Sequence, residues 1–261
     1  MAPIMHLIVD SHTLKTSVDV MKDIVTDVNI KFNQEGLHVL SQDPDKSTLL
    51  KFHIFKSGCI EYEFSTEEPV YIGVNMPHLY KLIRNASTGS IISLDINKDT
   101  PKILKLGITS PFKTSCISIQ SLDLPTTEPV FPHTIYSAVC ELPTATLQRV
   151  FRDLSFCSKK IALGYTKDEP TMLVVATSGE VSTTSISLCP SVDGLKWAYV
   201  DGEKHHQQFF GKHIEKFLKP SFSKSISIAF KKDEPVLFNY SNYFSSNGID
   251  MSLHVAPIPS T

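Results

Sequence analysis

The stretch Lys98-Asp99-Thr100-Pro101 returns 134 positions later as Lys232-Asp233-Glu234-Pro235. Each copy lies between two runs in which apolar and polar residues alternate, 91–96 and 102–106 for the first and 226–230 and 236–240 for the second. Alternation with a period of two predicts strands, and the polar stretch between them predicts a tight turn. Both copies are therefore expected to be β-hairpins, and the repeat predicts a chain built from two similar domains.

A second pair of hairpins supports the same duplication. Lys167-Asp168-Glu169-Pro170 separates the runs 160–164 and 172–176. Its counterpart is Asn33-Gln34-Glu35-Gly36, between 28–32 and 37–40. The offset is again close to that of the first pair, which random similarity would rarely produce.

Helical periodicity also recurs twice in each half. Apolar residues recur with the spacing of one helix face in the ranges 11–26, 76–85, 144–154 and 209–219. Pro77 fits the first turn of its helix, and Pro220 ends the last one. Further strands are expected at 53–55, 112–119, 181–188 and 197–200. The pattern predicts a β-rich α+β fold with an N-terminal domain 1–119 and a C-terminal domain 137–261.

The two domains are expected to be joined by a connector, residues 120–136. Pro125, Pro129 and Pro132 remove backbone donors, so neither a helix nor a central strand can run through it. Its apolar side chains are nevertheless numerous for a solvated segment: Leu122, Leu124, Val130 and Phe131. We expect the connector either to be held against a domain or to face a partner.

Composition indicates a soluble globular protein. The chain has 261 residues, of which 41% are hydrophobic and 20% charged. No run approaches the roughly 20 apolar residues of a membrane span, and the first residues lack the features of a signal peptide. The five cysteines are scattered without a Cys-x-x-Cys pair, which favours a reducing compartment and argues against structural zinc.

Basic side chains fall on the polar faces of all four predicted helices. They are Lys15 and Lys22 on the first, Lys81 and Arg84 on the second, Arg149 and Arg152 on the third, and Lys212, Lys216 and Lys219 on the fourth. A single helix with a basic face would be an ordinary solvated surface. Here all four helices have basic faces, although the net charge of the chain is only −2. The arrangement favours a positive surface that contacts phosphates without reading bases.

The sequence contains no recognisable catalytic or metal-binding motif. Glycine-rich phosphate loops, His-Glu-x-x-His and Gly-x-Ser-x-Gly are all absent. His205 and His206 follow a polar stretch and fit a solvated loop better than a metal site. Asp43 and Asp45 flank Pro44, as in a turn, and Cys157 is interpreted as a packed thiol. We expect no enzyme activity, no metal and no cofactor.

These features together resemble the sliding clamps of the proliferating cell nuclear antigen type. The similarity covers nearly the whole chain and is most specific at 36–43 (GLHVLSQD), 73–84 (GVNMPHLYKLIR), 151–155 (FRDLS), 177–180 (TSGE) and 253–257 (LHVAP). Elsewhere the match is loose, so the chain resembles a divergent member, with a viral source among the alternatives.

The resemblance implies a homotrimeric ring of six similar domains around duplex DNA. The implied DNA-facing residues are Lys15, Lys22, Lys81, Arg84, Lys113, Arg149, Arg152, Lys212, Lys216 and Lys219. The ring would close by pairing of the strand 114–119 with the strand 181–188 of the next subunit, through Ile117, Ile119, Val181 and Ile186.

The resemblance also implies a pocket that binds a short peptide of client proteins. Mapped onto this chain, it comprises Gln42, Lys46, Ser47, Leu49, Pro129, Phe131, Pro132, Pro235, His254, Val255, Ala256 and Pro257. Five positions depart from the family pattern: Gln42 replaces a methionine, Ser47 a β-branched apolar residue and His254 a tyrosine, while Pro129 and Phe131 replace aliphatic residues of the connector. The pocket is therefore expected to be unusually polar.

Three functions remain open from the sequence. The first is a homotrimeric sliding clamp that serves as polymerase processivity factor and docking hub for replication and repair proteins. Its implied partners are double-stranded DNA, a polymerase, a clamp loader and peptide-bearing clients, in the nucleus or at a viral replication site. The second is a clamp-like subunit of a heterotrimeric or monomeric processivity or checkpoint assembly. The third is a hydrolase or transferase whose site carries no recognised motif.

Overall fold

The computed structural model describes residues 3–130, 134–154, 159–166, 172–178, 183–202, 204–219, 223–240 and 248–259. Before the connector, the strands are β1 (Pro3–Asp10), β2 (Asp27–Asn33), β3 (Gly36–Gln42), β4 (Thr48–Phe55), β5 (Glu61–Phe64), β6 (Val70–Asn75), β7 (Ile91–Asn97), β8 (Thr100–Ser110) and β9 (Lys113–Gln120). The helices of this half are α1 (Ser11–Met21) and α2 (Met76–Ile83), with a short 3₁₀ turn at Lys56–Gly58.

The second half repeats this sequence of elements. Its strands are β10 (Ala138–Pro143), β11 (Lys160–Thr166), β12 (Met172–Ser178), β13 (Thr183–Leu188), β14 (Lys196–Val200), β15 (Lys204–Phe210), β16 (Ser225–Phe230), β17 (Val236–Asn239) and β18 (Ile249–Val255). Its helices are α3 (Thr144–Leu154), the single turn α4 (Pro190–Asp193) and α5 (Gly211–Leu218).

Strand order is the same in the two halves. The order β5-β1-β7-β8-β9 corresponds to β14-β10-β16-β17-β18, and the order β4-β3-β2-β6 corresponds to β13-β12-β11-β15. In each half a helix follows the first strand, as α1 follows β1 and α3 follows β10. The predicted α+β fold of two similar domains is confirmed.

The chain divides into two compact units. The first comprises Met1–Pro44, Leu50–Pro129 and Phe244–Met251, and the second comprises Asp45–Leu49, Val130–Tyr243 and Ser252–Thr261. Most of each unit is thus one half of the duplicated sequence, with a short segment of the other half added. The proposed domain boundaries at 119 and 137 lie at the end of β9 and just before β10.

The predicted hairpins follow the sequence pattern. Asn97 pairs with Thr100 at the end of the β7–β8 hairpin, and Asn33 pairs with Gly36 between β2 and β3. β16 and β17 pair around the stretch that begins at Lys232. The turn 167–170 lies outside the described residues, but β11 and β12 on either side of it form an antiparallel pair.

Two predicted helices are shorter than their periodicity indicated. α1 ends at Met21 rather than at residue 26, because Ile24 and Val25 are buried in the turn that leads to β2. α2 ends at Ile83 instead of residue 85.

The last predicted helix begins two residues late, and its neighbourhood is a strand. Phe209 and Phe210 belong to β15, and Phe210 is 46% exposed, so it is not part of the apolar face of α5. His205 and His206 also lie in β15, paired with Tyr165 and Gly164, so the predicted solvated loop is wrong. Within the described ranges, no helix is long and apolar enough to span a membrane.

Candidate functional site

The helices of the first unit pack against each other and keep their apolar faces inside. Side-chain caps fix both N-termini: the Asp10 carboxylate accepts from the Thr13 N–H and the Asn75 side chain from the His78 N–H, each at 2.9 Å. Leu14 and Leu79 are 3% exposed, which leaves the opposite faces for charged residues.

The predicted cations of these two helices differ in whether they form hydrogen bonds or ion pairs with neighbouring groups. Lys81 and Arg84 are exposed and have no hydrogen bond or ion pair to the described part of the chain. Lys15 is half-buried, and its Nζ donates to the Ala86 carbonyl at 3.3 Å.

Lys22 is held by carboxylates. Its Nζ lies 2.9 Å from Asp19 Oδ1, 3.1 Å from Asp23 Oδ1 and 4.6 Å from the centre of the Tyr80 ring. Burial lowers the pKa of Lys22, but the hydrogen bonds to both carboxylates outweigh burial, so its pKa is raised. Lys22 therefore stays charged, although its charge is already paired.

The second unit has an equivalent helix pair. Gln148 on α3 donates from its side-chain nitrogen to the Leu218 carbonyl of α5 at 2.5 Å, which ties the two helices together. Arg149 and Lys212 are exposed and, like Lys81, have no partner among the described residues. Arg152 and Lys219 are also exposed, and Lys216 is half-buried.

An open cavity of about 290 Å³ lies between α3 and α5. It is lined by Gln148, Phe151, Arg152, Glu215, Leu218 and Lys219. Burial raises the pKa of Glu215, the one acidic group of this lining. Arg152 and Lys219 give this lining two cations against one carboxyl group.

β9 and β13 each form an open sheet edge, as do β5 and β14. β9 is the last strand of the five-stranded sheet, and β13 is the last strand of the four-stranded sheet. No described strand pairs with the outer side of either. Ile117, Ile119 and Ile186 are half-buried along these strands, whereas Val181 lies outside the described residues. Lys113 is exposed at the start of β9.

The connector is held against the first unit by its polar groups. Leu122 donates from its N–H to the Gly73 carbonyl at 2.8 Å and thereby continues the sheet beside β6. The Asn29 side chain donates to the Pro125 carbonyl at 2.8 Å, and Lys31 lies 2.8 Å from Glu128. Val130 is 90% exposed, and Phe131 and Pro132 lie outside the described residues.

The predicted peptide-pocket residues fall partly on the surface and partly in the core. In the second unit, Leu49, His254 and Val255 are 6%, 3% and 1% exposed. These three can support a binding surface but do not themselves present one. The exposed or half-buried members are Gln42, Lys46, Ser47, Pro129, Pro235, Ala256 and Pro257.

Contacts within the second unit organise several of these residues. The Ala256 N–H donates to the Ser47 carbonyl at 2.8 Å. His254 Nδ1 lies 3.4 Å from the Tyr136 hydroxyl, so the histidine adds a polar contact below the surface.

Sequence reasoning missed the groove beside the C-terminal segment. It has a volume of about 540 Å³ and is lined by His206, Gln207, Gln208, Asp233, Pro257, Ile258 and Pro259. The Ile258 N–H donates to the Gln208 carbonyl at 2.7 Å, so the segment lies along β15. Assigning His205 and His206 to a loop hid this groove, and the sequence from Lys204 to Phe210 does not alternate between polar and apolar residues, so it carried no strand signal.

Comparison with known families decides the relationship. The profile of "Proliferating cell nuclear antigen, N-terminal domain" matches residues 6–128, and the C-terminal domain profile matches residues 130–251. The chain belongs to the proliferating cell nuclear antigen family.

Individual members of the family are only distantly similar to this chain. Proliferating cell nuclear antigen of Chaetomium thermophilum is 25% identical over 87% of this chain and 88% of its own length. A probable DNA polymerase sliding clamp of Paramecium bursaria Chlorella virus 1 is 21% identical over 88% of both. The DNA polymerase sliding clamp of Nanoarchaeum equitans is also 21% identical, over 88% of this chain and 91% of its own length.

A solved structure of the family confirms the fold. The crystal structure of the Entamoeba histolytica protein superposes with a TM-score of 0.86 at 18% identity and covers 99% of this chain and 100% of its own.

Membership of the proliferating cell nuclear antigen family confirms that the chain is not an enzyme, since clamps of this family are non-enzymatic scaffolds. Among the described residues, no three His, Cys, Asp or Glu side chains come together as metal ligands would. The helix cations, the sheet edges and the peptide pocket remain the candidate sites.

Proposed function

We propose that this chain is a DNA sliding clamp that acts as a DNA polymerase processivity factor by closing, as a homotrimer, around duplex DNA. The observation that carries the proposal is the set of uncompensated cations, Lys81 and Arg84 on α2, Arg149 on α3 and Lys212 on α5. α2 and α5 are equivalent helices of the two repeats, and α3 is the equivalent of α1. Family membership and the names of the viral and archaeal relatives support the same function.

The DNA contacts are electrostatic. Each ammonium or guanidinium that approaches a phosphate displaces a counterion, whichever base sequence the duplex has. The proposed contacts are Lys15, Lys81, Arg84, Lys113, Arg149, Arg152, Lys212, Lys216 and Lys219, with Lys22 beside them in its ion pairs. Weak contacts at many points allow sliding, while enclosure by the ring prevents dissociation.

Ring closure uses the open edges formed by β9 and β13. β9 of one subunit pairs with β13 of the next, so that the unpaired backbone groups of both strands are satisfied. Ile117 and Ile119 on β9 and Ile186 on β13 supply the apolar contacts, with Val181 completing the predicted set.

Client proteins dock through a short peptide that contacts the exposed members of the predicted pocket residues. Gln42 and Ser47 are more polar than the residues of the family pattern at these positions, and within the second unit the buried His254 contacts the Tyr136 hydroxyl. The clients include a polymerase and a clamp loader, and the complex works in the nucleus or at a viral replication site.

The oligomeric state tests the ring directly. Gel filtration with light scattering should give a mass of three times the 29.1 kDa of one chain. A monomer at micromolar concentration would instead favour a monomeric processivity factor. A trimer that forms only with added related subunits would favour a heterotrimeric checkpoint-type clamp.

Charge reversal tests the helix faces. Lys81→Glu combined with Arg149→Glu should abolish binding of a short labelled duplex and processive synthesis, while the trimer persists. The matched control is Lys102→Glu combined with Lys196→Glu, two exposed lysines on strands. Equal loss of DNA binding in both double variants would refute the assignment to α2 and α3.

A further inference from the structure

Two of the most exposed apolar side chains adjoin the open sheet edges β9 and β13. Phe112, in the turn immediately before β9, is 98% exposed, and Val192, in α4 just after β13, is 82% exposed. A phenylalanine that contacts water over its whole surface gains free energy from any apolar partner. Single exposed apolar residues are common, so their position must decide whether they matter.

Within one chain, β4 and β18 pair in the way that β13 and β9 are proposed to pair between two chains. Within the first unit the Phe55 N–H donates to the Gly248 carbonyl at 2.7 Å, and within the second the Ala256 N–H donates to the Ser47 carbonyl at 2.8 Å. Residue numbers rise on one segment as they fall on the other, so β4 and β18 run antiparallel. By strand order, β4 is the counterpart of β13, and β18 is the counterpart of β9.

Because the two halves are duplicated, the register of β18 with β4 predicts the register of β9 with β13. Leu104 pairs with Ile119 in the first half and Phe238 with Leu253 in the second, so β9 and β18 differ by 134 residues (253 − 119). The Lys56 N–H donates to the Glu35 carbonyl, which sets His38 opposite His53, and Leu173 pairs with Leu188, so β4 and β13 differ by 135 residues (188 − 53). With these offsets, the counterpart of the facing pair His53 and Asp250 is Leu188 and Cys116.

Phe112 and Val192 then lie at the same end of the paired strands. Phe112 precedes Cys116 by four residues, and Val192 follows Leu188 by four. Their charged neighbours are complementary, because Lys113 follows Phe112 and Asp193 follows Val192. A parallel pairing would separate the two apolar groups by the length of a strand.

We propose that Phe112 of one copy packs on Val192 and α4 of the next copy and anchors the ring interface, with Lys113 directed towards Asp193. This contact rests on the proposed trimer and identifies the residues that close it. It also gives Lys113 a role at the interface in addition to its proposed place near DNA.

Sedimentation equilibrium of single variants tests the anchor. Phe112→Asp and Val192→Asp should each raise the dissociation constant of the trimer by about tenfold or more. Ile135→Asp is the matched control, since Ile135 is 87% exposed but lies on neither edge strand. Both positions are exposed, so the variants should keep the wild-type circular dichroism spectrum.

Mixing the two variants gives a sharper test, because the interface is head-to-tail. A chain with Val192→Asp still carries Phe112, and a chain with Phe112→Asp still carries Val192. One intact interface can therefore form, but the second joins two aspartates. At a concentration at which each variant alone is monomeric, the mixture should give a species of twice 29.1 kDa.

The outcomes separate this contact from the ring itself. A wild-type protein that stays monomeric refutes the trimer before any variant is made. A wild-type trimer whose dissociation is unchanged in both variants refutes the Phe112–Val192 contact and leaves the ring standing. Dissociated variants that yield no two-chain species on mixing show that the two residues act separately, which also refutes the contact.

Discussion

The ammonium of Lys22 lies 2.9 Å from the carboxylate of Asp19, one helical turn earlier on α1. Asp23 approaches the same ammonium at 3.1 Å, and the Tyr80 ring lies beneath it. Two carboxylates and one ammonium give this end of α1 a net negative charge. The basic face of the first unit therefore depends on Lys15, Lys81 and Arg84, none of which lies beside a carboxylate among the described residues.

Neutralising the two carboxylates should convert Lys22 into a phosphate contact. We expect Asp19→Asn combined with Asp23→Asn to tighten binding of a duplex and to steepen its salt dependence. The logarithmic slope should change by about 0.9 for each added contact. Fluorescence anisotropy of a labelled duplex over a series of salt concentrations measures this slope.

Lys22→Gln and Lys81→Gln are the matched controls for this experiment. Each removes one positive charge, but only Lys81 is expected to contact phosphate in the wild-type protein. Lys81→Gln should therefore flatten the salt dependence, and Lys22→Gln should leave the slope unchanged. An equal decrease with both variants would show that Lys22 leaves its carboxylates to bind DNA.

Helix faces were predictable here because a period of 3.6 residues identifies them locally. The pairing of Lys22 with Asp19 and Asp23 was not predictable, because it depends on where α1 ends. Met21 is the last helical residue, and the turn that follows brings the side chain of Asp23 back to Lys22. Periodicity alone could not locate this end, since the buried Val25 continues the apolar spacing beyond the helix.

For the connector, too, the local conformation could be predicted from the sequence, but the contacts with distant residues could not. Its prolines predicted an extended chain, and its apolar residues suggested a partner. The contacts that hold it come from Asn29, Lys31 and Gly73, which lie far away in the sequence. Such long-range contacts leave no periodic signal, so the attachment to β2 and β6 required the structure.

Stability should fall in acid because His53 is buried without its proton. His53 is 4% exposed, and its ring stacks on that of His38 and lies tilted against that of Phe55, with ring centres 3.6 Å apart in both cases. Burial, followed by the nearby His38 and Lys51, lowers the pKa of His53 to about 3. Below the ordinary value of about 6.5, the unfolded chain binds a proton that the folded chain does not, so up to about 1.4 kcal/mol is lost per pH unit.

Replacing His53 by phenylalanine should remove this proton uptake. We expect the unfolding free energy of His53→Phe, measured in urea, to fall less than that of the wild type between about pH 7.5 and about pH 4.5. Parallel pH profiles of the two proteins would contradict a buried neutral His53.

His6 supplies a control of opposite sign. Its Nδ1 lies 2.5 Å from Asp95 Oδ1, and its Nε2 lies 3.6 Å from Glu61. The hydrogen bond to Asp95 raises the pKa of His6 against the smaller effect of burial. This pairing stabilises the fold fully below about pH 6.5 and is lost as pH rises through the raised pKa. His6→Gln should therefore cost up to about 1 kcal/mol in mild acid and little in alkali.

Gly73 allows the connector to lie against β6, so Gly73→Ala should detach it. A Cβ at this position would stand 2.3 Å from the Leu122 carbonyl oxygen, a backbone atom that cannot rotate away. The shift would break the 2.8 Å bond from the Leu122 N–H and the 2.9 Å bond to Ser121 Oγ, at a cost of about 1–3 kcal/mol. Limited proteolysis should cut the connector faster in Gly73→Ala than in Leu122→Ala, which keeps both of these hydrogen bonds. Cleavage at the wild-type rate would mean that Asn29 and Lys31 hold the connector without this bridge.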